Sequence, residues 1–89
     1  MTVEVEYMAQ LRVATGCRSD RLEIAAGSTL AELLAVAADR YDESAASHFV
    51  RDGKPSPSLL CAVRGAQASW DYKLQDGDRV TLLTPISGG

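Results

Sequence analysis

The sequence predicts an α+β fold in which a mixed sheet of four to five strands carries one main helix on one face. Three observations lead to this class. Alternating apolar residues predict strands near both ends of the 89-residue chain, and one long helical pattern lies between them. The length suits a single small domain. We therefore treat residues 1–89 as one domain with a flexible C-terminal tail, 84–89.

The N-terminal third predicts a hairpin of two strands. The first strand alternates polar residues with an apolar set on one side, Val3, Val5, Tyr7 and Ala9. Residues 11–20 contain a Thr-Gly pair and several polar residues, which predict a turn region. Residues 21–24 alternate again and predict the second strand.

We predict that the main helix begins after Thr29, because Thr29 and Glu32 have the spacing of a capping box. Apolar residues then recur at helical spacing and form a face for the sheet: Leu30, Leu33, Leu34, Ala37 and Tyr41. We expect the helix to stop near Tyr41 and Asp42. Residues 44–50 predict one more short helical turn, with Phe49 packing inward.

The middle of the chain predicts a loop, a buried strand and a turn. Residues 52–58 contain two prolines, which fix φ and lack a donor, and they predict a surface loop. Residues 59–63 are apolar without clean alternation, which indicates a strand buried on both faces. Residues 64–67 turn the chain toward Trp70, which we expect at the core or its edge.

The chain ends with a turn, a strand and a slim tail. The Asp-Gly pair within residues 75–78 suits a turn with positive φ, and Arg79–Leu83 reads as the last strand. The final residues, Gly88 and Gly89, have no Cβ, so the backbone can extend through a narrow channel. Such a tail can present the α-carboxylate of Gly89 inside the active site of another protein.

Composition and charge disfavour several classes of protein. At 46% hydrophobic and 24% charged residues, the chain is ordinary for a globular domain. A net charge of −3 argues against nucleic acid and anionic membranes as partners. No apolar run approaches the ~20 residues of a membrane span. The N-terminus lacks the basic region of a signal peptide, so we predict a cytoplasmic protein.

Cysteine and histidine do not form a metal-binding pattern. The chain has Cys17, Cys61 and His48, which are far apart and give no zinc signature. An ordinary iron–sulfur cluster needs four cysteines. We expect Cys61 to be a buried small hydrophobe, Cys17 to be exposed in a loop and His48 to be structural or solvated.

Three stretches of the chain match the signatures of one family. Residues 7–12 read Tyr-Met-Ala-Gln-Leu-Arg, residues 74–80 read Leu-Gln-Asp-Gly-Asp-Arg-Val, and residues 83–89 read Leu-Thr-Pro-Ile-Ser-Gly-Gly. Together they resemble the MoaD/ThiS-type sulfur carriers of the ubiquitin-like β-grasp fold. The tail, with Pro85, is most similar to the small subunits of molybdopterin synthase. Thr84 departs from that pattern, in which proline is common.

The resemblance implies a carrier without catalytic residues of its own and without a stably bound cofactor. An E1-like adenylating enzyme would use ATP to adenylate the carboxylate of Gly89. A sulfur donor of the cysteine desulfurase or rhodanese type would then convert it to a thiocarboxylate. In molybdenum cofactor biosynthesis, the large subunit of molybdopterin synthase would receive this sulfur.

The resemblance also implies which residues meet the partners. The tail would thread into each partner through the residues before the terminal carbon: Pro85, Ile86, Ser87 and Gly88. Because the first and last strands of a β-grasp sheet lie side by side, Met8 and Leu83 would form an apolar patch just above the tail. We predict this patch as the partner interface, with the alternative that it is ordinary exposed apolar surface.

Three other functions stay open on the sequence. The same sulfur chemistry could serve thiamine, cysteine or another product. The chain could instead be a protein modifier, in which Gly89 forms an isopeptide bond with lysines. It could also be a β-grasp interaction module whose Gly-Gly ending is incidental.

Overall fold

The computed structural model describes residues 1–84, and the remaining residues of the predicted tail, 85–89, lie outside this part. Within residues 1–84 the chain forms seven strands and three helices. In chain order they are β1 Thr2–Tyr7, α1 Gln10–Thr15, β2 Ser19–Glu23, α2 Leu30–Asp39, α3 Glu43–Ala46, β3 Val50–Arg51, β4 Lys54–Pro55, β5 Leu60–Val63, β6 Ala66–Gln67 and β7 Arg79–Leu83.

The main sheet has five strands in the order β2-β1-β7-β5-β6. Its centre is the parallel pair β1 and β7, in which Val5 lies beside Val80 and Tyr7 beside Leu82. The other pairs in this sheet are antiparallel. The predicted α+β class and mixed sheet are confirmed, and so is the adjacency of the first and last strands.

Helix α2 begins at the predicted capping box. The backbone N–H of Glu32 donates to Thr29 Oγ1 at 3.3 Å, and Glu32 Oε1 accepts from the Thr29 N–H at 3.0 Å. The two bonds satisfy donors that a helix start leaves without partners. The buried face of α2 consists of Leu30, Leu33, Leu34 and Ala37.

Helix α2 ends at Asp39, slightly before the predicted end near Tyr41 and Asp42. The reason is a second helix start, because Asp42 Oδ1 accepts from the Ala45 N–H at 2.9 Å and caps α3. The predicted short helical turn is confirmed as α3. Phe49, which follows it, is fully buried as predicted.

The core lies between α2 and the inner face of the sheet, where an aromatic cluster closes one end. The rings of Tyr7 and Phe49 are 5.6 Å apart, and Tyr41 packs beside both. Tyr7 Oη donates to Asp20 Oδ2 at 2.8 Å. Burial raises the pKa of the Tyr7 hydroxyl, and the Asp20 hydrogen bond raises it further. Trp70 is half-buried at the core edge, as predicted.

The predicted turn region at residues 11–20 contains a helix that the sequence pattern did not reveal. Leu11 is the one buried residue of α1, so this short helix shows no apolar periodicity. Strand β1 ends at Tyr7 and does not extend to Ala9 as predicted. Ala9 has a φ of 48°, which turns the chain from the strand into α1.

Two segments predicted as a loop and a turn are short hairpins. Strands β3 and β4 pair across Asp52 and Gly53, whose φ angles of 54° and 74° suit a two-residue hairpin turn. Strands β5 and β6 pair in the same way across Arg64 and Gly65. Because β3, β4 and β6 have two residues each, no alternation could identify them.

Candidate functional site

The outer face of the sheet, which faces away from α2, carries an apolar surface where β7 ends. Leu60 lies opposite Leu83 in the antiparallel register of β5 and β7. The Met8 N–H donates to Leu82 O at 3.0 Å, so Met8 lies level with the end of β7. Leu83 is half-buried, whereas Met8 and Leu60 are 38% and 37% exposed. We call Met8, Leu60 and Leu83 the outer patch.

Leu60 belongs to the outer patch, although the sequence predicted residues 59–63 to be buried on both faces. That prediction is wrong, because Cys61 and Val63 face the core while Leu60 is exposed and Ala62 is half-buried. The helix covers only one side of β5. The signal that could have identified Leu60 is its register opposite Leu83, which a single sequence does not give.

The predicted Asp-Gly turn joins the start of β7 to the start of β1. Gly77 has a φ of 83°, and its N–H donates to Thr2 O at 2.8 Å. The Thr2 N–H donates to Asp76 Oδ1 at 2.8 Å, and the Glu4 N–H donates to Asp78 O at 3.0 Å. These bonds set the parallel register, and that register brings Leu83 beside Met8.

The side chain of Asp78, which is only 1% exposed, stabilises this turn through hydrogen bonds. Its Oδ1 accepts from Arg64 Nε at 3.1 Å and from Arg64 Nη2 at 2.8 Å. Its Oδ2 accepts from the Gln75 N–H at 2.9 Å. The carboxylate raises the pKa of the Arg64 guanidinium. All three residues of the Asp-Gly-Asp signature therefore serve the fold directly.

The sequence of the chain matches a known family over nearly its whole length. The model of the ThiS family matches residues 5–89. The chain belongs to the ThiS family. The molybdopterin synthase sulfur carrier subunit of Escherichia coli is 34% identical to it, over 98% of this chain and 99% of that subunit.

Solved structures show the same fold as this ThiS-family chain. The crystal structure of SAMP1 from Haloferax volcanii has a TM-score of 0.84 at 23% identity, with all of both chains covered. A chain in the complex of subunits 1 and 2 of molybdopterin-converting factor from Helicobacter pylori has a TM-score of 0.66 at 21% identity, also with full coverage of both. The predicted family and the ubiquitin-like β-grasp fold are confirmed.

Most of the predicted tail residues lie outside the described part of this ThiS-family chain. They are Pro85, Ile86, Ser87, Gly88 and Gly89, and their roles stay predictions. The role of Met8 and Leu83 as a partner interface also stays a prediction, although the structure places both in the outer patch. Thr84, the last described residue, has a buried Oγ1 without a hydrogen-bond partner in residues 1–84.

Substitution of Thr84 by valine is expected to stabilise the protein. Valine keeps the shape of threonine and removes the unpaired hydroxyl, so the free energy of unfolding should rise by about 1 kcal/mol. Thr15→Val is the matched control, because the Thr15 hydroxyl donates to Leu11 O at 2.8 Å and its loss should destabilise. Urea unfolding measures both, and a stability loss in Thr84→Val would contradict the prediction.

The structure confirms the expected burial of Cys61 and corrects the expected exposure of Cys17. Cys61 is buried, its Sγ donates to Ala68 O at 3.1 Å, and burial raises the pKa of the thiol. Cys17, expected to be exposed, is half-buried with its Sγ 3.2 Å from Tyr41 Oη. Both thiols are free, and His48 is half-buried.

Within residues 1–84, no group of three or more His, Cys, Asp or Glu side chains is arranged to hold a metal ion. No helix there has both the length and the apolar character needed to cross a membrane.

Proposed function

We propose that this chain is a sulfur carrier that donates sulfur as the small subunit of molybdopterin synthase, with the carboxylate of Gly89 as the carrying group. The observation that supports the proposal most is the similarity to the Escherichia coli carrier subunit along nearly the full length of both chains. The geometry agrees with it. Strand β7 runs in the centre of the sheet and ends at Leu83 in the outer patch, one residue before the tail begins.

The chemistry requires activation, because a carboxylate is a poor acyl donor at neutral pH. An E1-like adenylating enzyme brings ATP, and the Gly89 carboxylate attacks its α-phosphorus. An acyl–phosphate bond forms and pyrophosphate leaves. A persulfide sulfur of a cysteine desulfurase or rhodanese-type donor then attacks the carbonyl carbon and displaces AMP. Two-electron reduction of the resulting acyl disulfide by a thiol releases the thiocarboxylate.

The chain acts as a substrate of these partners and supplies no catalytic side chain. The buried carboxylate of Asp78 secures the last turn and the half-buried carboxylate of Asp20 binds Tyr7, so both serve the fold. Gly88 keeps the tail slim enough for two different active sites, and Pro85 lowers the entropy lost when the tail docks. The carrier holds no cofactor of its own, and ATP binds to the activating enzyme.

We place the carrier in the cytoplasm, together with its adenylating enzyme and the large synthase subunit. The free state of Cys17 and Cys61 suits a reducing compartment. In the large subunit, the thiocarboxylate sulfur would attack the pterin precursor and the tail would return to a carboxylate.

Carrier-dependent exchange of labelled pyrophosphate into ATP tests the activation step. The cognate adenylating enzyme should catalyse this exchange only when the carrier is present, because the acyl-adenylate forms reversibly on Gly89. A des-Gly89 chain serves as the negative control. Exchange of equal rate with and without the carrier would contradict the proposed function.

The outer patch is expected to dominate binding to the large subunit. Leu60→Asp places a charge in the patch and should weaken the complex by about tenfold or more, since a few apolar anchors carry most interface energy. Val36→Asp is the matched control, because Val36 is 39% exposed on α2, away from the patch. Isothermal titration calorimetry measures both. Equal affinities of the two variants would contradict the assignment of this face.

A further inference from the structure

Arg12 lies against the outer patch and is held there by two contacts. Its Nε donates to Tyr7 O at 3.3 Å, and its Nη2 is 3.8 Å from Met8 Sδ. The residue is half-buried, and it reaches the patch from α1. The guanidinium is therefore anchored at the edge of the apolar surface before any partner binds.

The charge of Arg12 has no carboxylate partner within residues 1–84. The cations that form ion pairs in this part of the chain are the N-terminus of Met1, Arg40, Arg64 and Arg79. A guanidinium has five N–H donors, and the two contacts of Arg12 leave several of them unused. These donors lie beside the sulfur of Met8.

Any protein that covers Met8 also removes water from Arg12, because the two side chains are in contact. Burial of a charge without a counter-charge is strongly unfavourable, because the charge loses its hydration. A carboxylate offsets this loss best, since it can accept two parallel hydrogen bonds from a guanidinium. The arrangement therefore favours a partner with an acidic side chain at the rim of an apolar pocket and disfavours one without it.

We propose that Arg12 is a specificity-determining residue of the docking face and pairs with a carboxylate side chain of the large synthase subunit. The inference rests on the proposed function, which supplies the identity of the partner. Beyond that function, the inference names the interaction that recognises the partner, an ion pair between Arg12 and a carboxylate. Arg12 acts in binding and takes no part in the sulfur chemistry.

Charge reversal at Arg12 tests the inference in the full-length carrier. Arg12→Glu should weaken binding to the host's own large subunit by about 30-fold or more, because two carboxylates would then meet in a desolvated contact. Arg51→Glu is the matched control, since it changes the net charge equally on β3, and it should stay within about twofold of the unaltered chain. Arg12→Lys should recover part of the affinity, because it restores the charge without the planar fork.

A second measurement separates recognition from a purely structural role. Between low and high salt, the affinity of the unaltered carrier should fall more than that of Arg12→Gln, because the substitution removes one charge pair. Thermal unfolding of each variant reports any effect on the fold. If Arg12→Glu does not fold, the salt dependence of Arg12→Gln decides the question.

Equal binding by Arg12→Glu and Arg51→Glu would overturn the inference. So would a loss confined to adenylation, because the acidic group would then belong to the activating enzyme. The same inference fails if the salt dependence of Arg12→Gln equals that of the unaltered chain. If the unaltered carrier neither binds the large subunit nor acquires sulfur, the proposed function itself fails, and this result is distinguishable from a failure at Arg12 alone.

Discussion

Removal of Gly89 is expected to abolish sulfur loading while leaving the fold intact. The deletion shortens the tail by one residue, so the terminal carboxylate lies about 3.5 Å of extended chain short of its usual position. Since reacting groups must lie within a few tenths of an ångström of the productive position, the rate of adenylation should fall by about a hundredfold or more. The buried core cluster consists of residues between Val3 and Leu82, so the thermal midpoint should not change measurably.

Two tail variants control for this deletion. Ser87→Ala keeps the length of the tail and should retain most of the activity. An added glycine after Gly89 moves the carboxylate outward and should also inactivate the carrier. Pyrophosphate exchange and thermal unfolding measure all three chains. Retained activity in the des-Gly89 chain would contradict the role of this terminal carboxylate.

Replacement of Asp78 by alanine is expected to cause the largest loss of stability. The substitution leaves the Gln75 N–H without its acceptor and removes both hydrogen bonds from Arg64. Hydrogen bonds to a buried charge are strong, and an unsatisfied buried donor is unfavourable. The free energy of unfolding should therefore fall by about 3 kcal/mol. For a domain of this size, the thermal midpoint should fall by about 15 °C.

Asp76→Ala is the matched control for this substitution. Asp76 lies in the same turn, is exposed and accepts one hydrogen bond from the Thr2 N–H. Its loss should reduce the stability by about 1 kcal/mol. Urea unfolding compares both variants with the unaltered chain. A loss in Asp78→Ala no larger than in Asp76→Ala would show that the buried carboxylate does not secure the turn.

Elements with a long repeating pattern were predictable from the sequence. The capped helix α2 and the central strands β1 and β7 each bury a regular set of residues, so their apolar spacing shows in the chain. The Asp-Gly turn before β7 was predictable because positive φ favours glycine. These elements also determine where the tail leaves the sheet, which explains why the family could be inferred from one sequence.

Short elements and the full outer patch were not predictable. Helix α1 buries only Leu11, and β3, β4 and β6 have two residues each, so no repeat of apolar residues could identify them. Leu60 joins the patch through its pairing with Leu83, which is a long-range contact. Arg12 lies against the patch through its contact with Met8, which depends on α1. Each of these features depends on tertiary structure.

Under the proposed function, different parts of this small domain provide stability, partner binding and the reactive group. The Asp-Gly-Asp turn and the core hold β7 in the centre of the sheet, whereas the proposed docking surface consists of the outer patch and Arg12. The proposed reactive group is the terminal carboxylate of Gly89. Substitutions in the turn should therefore change stability, substitutions in the patch should change affinity, and changes at the terminus should change the sulfur chemistry alone.

The intact mass of the carrier tests the central claim most directly. The protein is incubated with its adenylating enzyme, ATP, a sulfur donor and a thiol reductant, and its mass is then compared with that of an untreated sample. Replacement of one carboxylate oxygen by sulfur should raise the mass by about 16 Da, and the des-Gly89 chain should show no increase. An unchanged mass, or covalent adducts with other proteins in place of this increase, would contradict the proposed role as a sulfur carrier.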